Sequence, residues 1–96
     1  MIMGNRAFSL ATGNNLVFAS TTNLLSIAGN STGGTVTLAL YDGKVAGDIV
    51  AANLVHTFTL AAGAVTYGFE GILFPAGIVA VLTLNGGTAD ILLEHD

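Results

Sequence analysis

The sequence consists of short apolar runs that clusters of glycine, asparagine, serine and aspartate interrupt about every ten residues. In the clearest run, residues 35–41 (TVTLALY), apolar and polar side chains alternate, which places Val36, Leu38 and Leu40 on one face. A period of two residues is that of a β-strand with one buried face. The chain is therefore predicted to be all-β: a single-domain antiparallel β-sandwich or jelly roll of about seven to eight short strands, two architectures that share this pattern.

The predicted strands are separated by segments of turn residues. Residues 29–34 (GNSTGG) consist of turn residues almost exclusively, and residues 85–87 (NGG) form a second such segment. Pro75 fits an edge strand or a loop better than a central strand. The predicted strands are 6–11, 15–20, 23–29, 35–41, 54–60, 65–69, 78–84 and 89–95. The side chains expected to be largely buried are Leu38, Leu40, Phe58, Phe69, Val81 and Leu82.

The strand at 35–41 runs into Asp42 and Gly43, which form a candidate turn. Glycine accepts the positive φ that other residues avoid, and aspartate can hydrogen-bond its own backbone. The segment that follows, residues 44–54, is ambiguous. It could be a loop with a helical turn at Asp48 to Leu54, with Asp48 as the N-cap.

Charged residues make up 8% of the chain, against about 25% in an average protein. Residues 7–41 contain no aspartate, glutamate, lysine or arginine. Large uncharged faces mark contact sites, so we interpret this span as surface that neighbouring subunits cover. The expectation is a homo-oligomer, with a trimer favoured.

The charge balance and the apolar stretches also argue against some partners. The net charge is −4 with two cationic side chains, which cannot neutralise a nucleic acid backbone or bind an anionic membrane surface. The best apolar stretch, residues 71–84, is too short to span a membrane and is interrupted by Pro75 and Gly77. A secretory signal is not expected, because residues 7–15 (AFSLATGNN) are too broken to form its apolar segment.

Neither histidine indicates a catalytic or metal site. His56 shares a face with Phe58, which is typical of a satisfied core or interface histidine. His95 lies between Glu94 and Asp96 near the end of the sequence, but one imidazole is a weak basis for a metal centre.

The remaining polar clusters are equally uninformative about chemistry. Asp42, Lys44 and Asp48 crowd one segment, but they lack the alternating carboxylates and closing glutamate of a calcium loop. The chain contains no cysteine, which leaves no thiol chemistry. We therefore expect a non-enzymatic protein with no catalytic, cofactor or metal site.

Residues 1–20 are interpreted as an N-terminal arm or edge strand, and residues 21–96 as the β-sandwich domain. The spaced apolar residues of the first segment cannot be buried by that segment alone. An arm that reaches onto a neighbouring subunit is favoured, because an open edge strand on so apolar a chain invites uncontrolled pairing. The candidate interface residues are Ile2, Phe8, Leu10 and Phe18.

From residue 24 onward the chain has a recognisable pattern. It comprises LLSIAGNSTGGTVTLALYDG (24–43), VTYGFEGILF (65–74) and PAGIVAVLTLNGG (75–87), followed by a final strand. In this pattern the chain resembles small all-β bacteriophage virion proteins. The best-matched points are Tyr41-Asp42-Gly43 and Phe74-x-x-Gly77.

This resemblance implies a structural virion protein, in particular a trimeric capsid decoration (cement) protein that stabilises the phage head through subunit contacts. Its partners would be copies of itself and the lattice of the major capsid protein. Its location would be the capsid surface of the virion, after assembly in the cytoplasm of the bacterial host. The alternative is a tail- or fibre-associated module that binds carbohydrate or the host surface, for which Tyr41 and Tyr67 are the available stacking rings.

Overall fold

A computed structural model describes residues 6–96, and its regular structure is β-strand apart from two short 3-10 turns, Ala46–Asp48 and Ala51–Asn53. The prediction of an all-β chain is therefore confirmed. The eight strands are β1 (Arg6–Leu10), β2 (Gly13–Phe18), β3 (Thr22–Thr32), β4 (Thr35–Asp42), β5 (Leu54–Leu60), β6 (Gly63–Phe74), β7 (Ile78–Asn85) and β8 (Thr88–His95).

The strands form two four-stranded antiparallel sheets. Sheet 1 has the order β1-β8-β3-β6 and sheet 2 the order β2-β7-β4-β5. Strand β1 pairs with β8, β2 with β7, β3 with β6 and β4 with β5. The two halves of the chain therefore form one long hairpin, and the β4–β5 connection is its tip. This hairpin is wrapped so that β3 also pairs with β8 and β4 with β7. That topology is a jelly roll, which the sequence pattern alone could not distinguish from other sandwiches.

The hydrophobic core lies between the inner faces of the two sheets. The alternation of β4 is confirmed, because Val36, Leu38 and Leu40 are fully buried. Each such side chain contributes roughly 1.5–3 kcal/mol by leaving water. The buried cluster comprises Leu10, Val17, Leu24, Ile27, Val36, Leu38, Leu40, Leu60, Phe74, Ile78, Ala80, Leu82, Ile91 and Leu93.

Val81 is not a core residue, although it was expected to be buried beside Leu82. Val81 pairs with Ala39 on the outer face of sheet 2 and is half-buried, whereas Ala80 and Leu82 point into the core. The strand is apolar on both faces, so its alternation could not show which face is inner.

Phe58 and Phe69 are also less buried than expected. Both are half-buried and pack against the core from the edge strands β5 and β6. The sequence identified their inward face correctly. It could not show that these two strands would be the outermost ones, with one side of each ring left near solvent.

Strand β3 is longer than predicted. It continues to Thr32, through most of the segment 29–34 that was expected to be a turn. As a central strand it pairs with both β6 and β8, and these two ladders outweigh the local turn preference of glycine and asparagine. The turn is thereby confined to Gly33 and Gly34.

Residues 6–18 form β1 and β2, which are the edge strands on one side of the two sheets. Both strands pair within the chain, β1 with β8 and β2 with β7. Within one chain these residues thus form edge strands, and an arm that reaches onto a neighbouring subunit stays a prediction. Ile2 lies outside the described residues.

Candidate interaction surface

The candidate turn at Asp42 and Gly43 is part of a clamp between the end of β4 and the β6–β7 loop. The Asp42 carboxylate accepts a hydrogen bond from the backbone N–H of Ala76 at 2.8 Å. The Gly43 N–H donates to the carbonyl oxygen of Gly77 at 3.1 Å. Asp42 and Gly43 thus meet Ala76 and Gly77 in space. Their role in this clamp is structural.

Asp42 and Gly43 lie where the chain leaves β4 and enters a longer connection. Asp42 is the last residue of β4, and Gly43 opens a loop that reaches β5 only at Leu54. Gly43 is buried because it lies against the Asp48 side chain, which leaves no room for a Cβ atom. Close approach, rather than a positive φ, explains glycine at this position.

Asp48 holds the loop together, but it is not the N-cap of a helical turn. It is the last residue of the first 3-10 turn. Its carboxylate accepts hydrogen bonds from the backbone N–H groups of Lys44, at 2.7 Å, and Val45, at 3.2 Å. These bonds lower the pKa of Asp48 below its ordinary value.

His95 and Asp96 lie at the same end of the sandwich as this clamp, where β8 ends beside the start of β3. His95 is buried, with Nδ1 lying 3.3 Å from the Thr22 hydroxyl and its ring 4.9 Å from that of Phe18. The Asp96 carboxylate accepts hydrogen bonds from the N–H of Asn23 at 2.7 Å and from the Thr22 hydroxyl at 2.9 Å. Strand β8 is therefore fastened to the start of β3 rather than frayed. Within residues 6–96 no cluster of metal-ligating side chains is present.

This arrangement predicts a loss of stability at acidic pH. The Asn23 backbone N–H, the Asn23 amide and the Thr22 hydroxyl lower the pKa of Asp96 from 3.8 to about 2. The charged carboxylate is favoured in the folded state, so its contribution is complete above pH 3.8 and is lost as the pH falls towards 2. Urea titrations should show a smaller acid loss for Asp96→Asn than for the unmodified chain. Asp90→Asn, which removes the same charge from an exposed position of β8, is the control. An unchanged acid loss in Asp96→Asn would contradict this prediction.

Three of the predicted interface residues, Phe8, Leu10 and Phe18, contact the hydrophobic core of their own chain. Leu10 packs in the core of its own chain, and its contact with a neighbouring subunit stays a prediction. Phe8 and Phe18 are half-buried and pack against the same core. The guanidinium of Arg6 lies over the Phe18 ring, 4.6 Å from its centroid.

A row of apolar side chains crosses the outer face of sheet 2. Cross-strand pairing places Leu16 beside Val79, Val79 beside Tyr41, and Tyr41 beside Leu54. Val79 is buried within the row, whereas Leu16 is 54% exposed and Leu54 43% exposed. The β4–β5 loop begins and ends beside this row. We define the sheet 2 patch as Leu16, Tyr41 and Leu54 together with the exposed loop residues Val45 and Val50.

Four rings bridge the two sheets on the side where β5 and β6 are the edges. The centroid of Phe58 lies 4.4 Å from that of His56, 5.6 Å from that of Phe69 and 6.0 Å from that of Tyr67. His56 is exposed, so it is not a core histidine, and Tyr67 is 39% exposed. We call these four residues the aromatic edge.

The exposed apolar surface does not coincide with the charge-free span at 7–41. Strands β3 and β4 are central strands, and most of their large apolar side chains enter the core. Their outer positions carry mostly small or uncharged polar side chains. Leu16 is the one member of the span among the exposed large apolar residues, which are Leu16, Val45, Val50, Leu54, Val55, Tyr67, Leu73 and Leu92.

The described residues contain no pocket that could enclose a small molecule. Among them no helix is long and apolar enough to cross a membrane. Comparison of the chain with protein-family models, curated proteins and solved structures gives no match. The sheet 2 patch and the aromatic edge are thus the features from which a function can be argued.

Proposed function

We propose that the chain is a non-enzymatic structural virion protein, a capsid decoration (cement) subunit that binds the lattice of the major capsid protein. The observation that carries this proposal is the sheet 2 patch, which exposes apolar side chains on the broad outer face of a sheet. Jelly rolls are common in capsid proteins, although the fold alone does not determine function. The resemblance to small bacteriophage virion proteins supports the same proposal.

The patch has the properties of a protein-binding surface. Leu16 and Leu54 are exposed on β-strands whose backbone positions are fixed by ladders to β7 and β4. A rigid apolar surface loses little conformational entropy when a partner covers it. Burying it yields roughly 25 cal/mol for each Å² of apolar area.

Decoration would stabilise the capsid by mass action. A subunit that binds the assembled lattice better than free capsid protein shifts the equilibrium towards the assembled state. In this proposal the chain is located on the capsid surface and reaches it after assembly in the bacterial cytoplasm. Self-association of the chain belongs to the same proposal.

Capsid binding through the patch can be tested with one charge substitution on each sheet. Leu16→Glu introduces a carboxylate into the patch, and burying it without a partner should weaken binding to empty capsids of the encoding phage by at least about tenfold. Leu92→Glu makes the same change at an exposed position of sheet 1 and is the matched control. Co-sedimentation measures both variants.

Three results of that experiment would contradict the proposal. One is the absence of binding by the unmodified chain. Another is equal binding by the Leu16→Glu variant, and the third is an equal loss in Leu92→Glu. Circular dichroism must show that each variant keeps its β-structure.

The alternative is a tail- or fibre-associated module that binds carbohydrate or a host surface. Tyr67 favours it, because its ring is exposed beside Phe58 and a sugar could stack on it. Binding to a glycan array that Tyr67→Ala abolishes, without any binding to capsids, would support this alternative instead.

A further inference from the structure

The strand β5 is an edge strand that lacks the usual protection against pairing. Its outer edge has no strand partner among residues 6–96. Its sequence, LVHTFTL (54–60), contains no proline, glycine, aspartate, glutamate, lysine or arginine. Six of its seven residues are exposed or half-buried, and Leu60 is the exception. An exposed apolar edge of this kind pairs with another strand unless charge, proline or a covering segment prevents it.

The other three edge strands are better protected. Strand β6 carries Glu70 and an irregular register opposite Leu24–Ser26, with Gly71 at positive φ. Strand β1 is only five residues long and carries Arg6. Strand β2 has a register shift after Leu16. Strand β5 is also irregular where it meets Tyr41, but its register with β4 is continuous from His56 to Leu60.

We infer that β5 pairs with β5 of a second copy of this chain, antiparallel and about a two-fold axis. This inference rests on one part of the proposed function, namely that many copies of the chain act together. Charge supports the second copy as the occupant. Residues 49–69 contain no charged side chain, so two such flanks can meet without repulsion, whereas the chain carries six acidic and two basic side chains overall.

Full overlap of two Leu54–Leu60 strands places the axis at the middle residue, Thr57. In that register Thr57 faces its own copy, and threonine pairs across strands are favourable. His56 faces Phe58 of the second copy on the core-facing side. These two rings already lie in edge-to-face contact within one chain, 4.4 Å apart. The second copy thereby covers His56 and Phe58 of each aromatic edge, of which His56 is exposed and Phe58 half-buried in the monomer.

The pairing has a consequence for binding to a lattice. The two-fold axis of such a pair is perpendicular to the plane of the sheet. The two copies of sheet 2 therefore join into one continuous eight-stranded sheet, and their outer faces lie on the same side. The two sheet 2 patches then lie on that same face. A dimer could bind a flat lattice through both patches, which raises its apparent affinity without any new kind of contact.

Thr57→Lys tests the pairing by its effect on dimerisation of the purified chain, without capsids. A failure to dimerise can therefore be distinguished from a failure to bind capsids. Thr57 is exposed, and two lysines facing each other across the axis should raise the dimer dissociation constant at least about tenfold. Thr66→Lys places the same side chain at an exposed position of edge strand β6 and should leave the dimer intact. Sedimentation equilibrium measures all three proteins.

Thr57→Cys provides a second test, because the chain contains no other cysteine. Directly opposed residues of antiparallel strands have Cα atoms about 4.5–5.5 Å apart, within the range of a disulfide. Mild oxidation should therefore yield a covalent dimer, whereas Thr66→Cys should not link. The inference is overturned by a monomeric unmodified chain at about 100 µM, a concentration far above that of specific micromolar association. It is equally overturned by an oligomer that survives Thr57→Lys or that Thr57→Cys does not link.

Discussion

Replacing Phe74 by alanine is expected to lower the free energy of unfolding by about 3–5 kcal/mol. Phe74 is fully buried and is among the largest fully buried side chains of the described residues. It ends β6, pairs with Thr22 of β3, and contributes its ring to the central cluster. The loss combines the transfer free energy of the ring with the cavity that remains, because a core between two paired sheets can collapse only partly.

Leu73→Ala is the matched control for this prediction. Leu73 is the preceding residue of the same strand, points to the outer face of sheet 1 and is 55% exposed. Its truncation should change the free energy of unfolding by no more than about 0.5 kcal/mol. Urea unfolding followed by circular dichroism gives both values. Equal losses in the two variants would mean that the assigned faces of β6 are incorrect.

Phe58 and Phe69 show why burial was harder to predict than fold class. Their alternation with polar neighbours correctly gave the inward face, as it did for Leu38 and Leu40. Burial, however, depends on whether a second strand lies beyond the residue's own strand. Strand order is decided by long-range pairing, such as that of β4 with both β5 and β7, which no local pattern contains.

The fold class was predictable because turn residues and alternation are local signals. The strand at 54–60 has the bounds that the pattern gave, and strand β4 differs only by the addition of Asp42. Local signals failed where pairing outweighed them, as in residues 29–32, which the turn preference of Gly29 and Asn30 assigned wrongly.

The candidate surfaces were less predictable than the fold. The sheet 2 patch unites Leu16, Tyr41 and Leu54, which are far apart in sequence and become neighbours only through the ladders to β7 and β4. Residues 49–69 contain no charged side chain and include the exposed strand β5, whereas the longer charge-free span at 7–41 includes the central strands β3 and β4. A charge-free span can supply core strands as well as contact surface.

Replacing Gly77 by alanine is expected to lower the free energy of unfolding by about 3 kcal/mol or more. Gly77 has a φ of 144°, a conformation that side chains with a Cβ atom rarely adopt and that costs about 1–3 kcal/mol. An added Cβ would also overlap the carbonyl oxygen of Phe18 and lie 2.7 Å from that of Gly43. Relieving this overlap requires backbone movement, which adds about 1–3 kcal/mol.

Gly68→Ala is the control, because a Cβ at Gly68 meets no atom within 4 Å and its φ is ordinary. Alanine there should be neutral or stabilising by about 0.5–1 kcal/mol, since glycine weakens a strand interior. Should the Gly77 variant fail to fold, Asp42→Ala probes the same clamp by removing the acceptor for the Ala76 N–H, at a cost of about 1–3 kcal/mol.

If the chain binds capsids as proposed, the Gly77 substitution should weaken that binding as well as stability. The clamp fixes the point at which the chain leaves β4 and enters the loop that carries Val45 and Val50. If Gly43 is displaced from Gly77, the loop shifts while Leu16 and Leu54 stay on their strands. Binding should then weaken, but less than in Leu16→Glu. A folded Gly77→Ala variant with unchanged stability would show that the clamp contributes nothing. One with lowered stability but unchanged binding would confine the capsid contact to the strands of sheet 2.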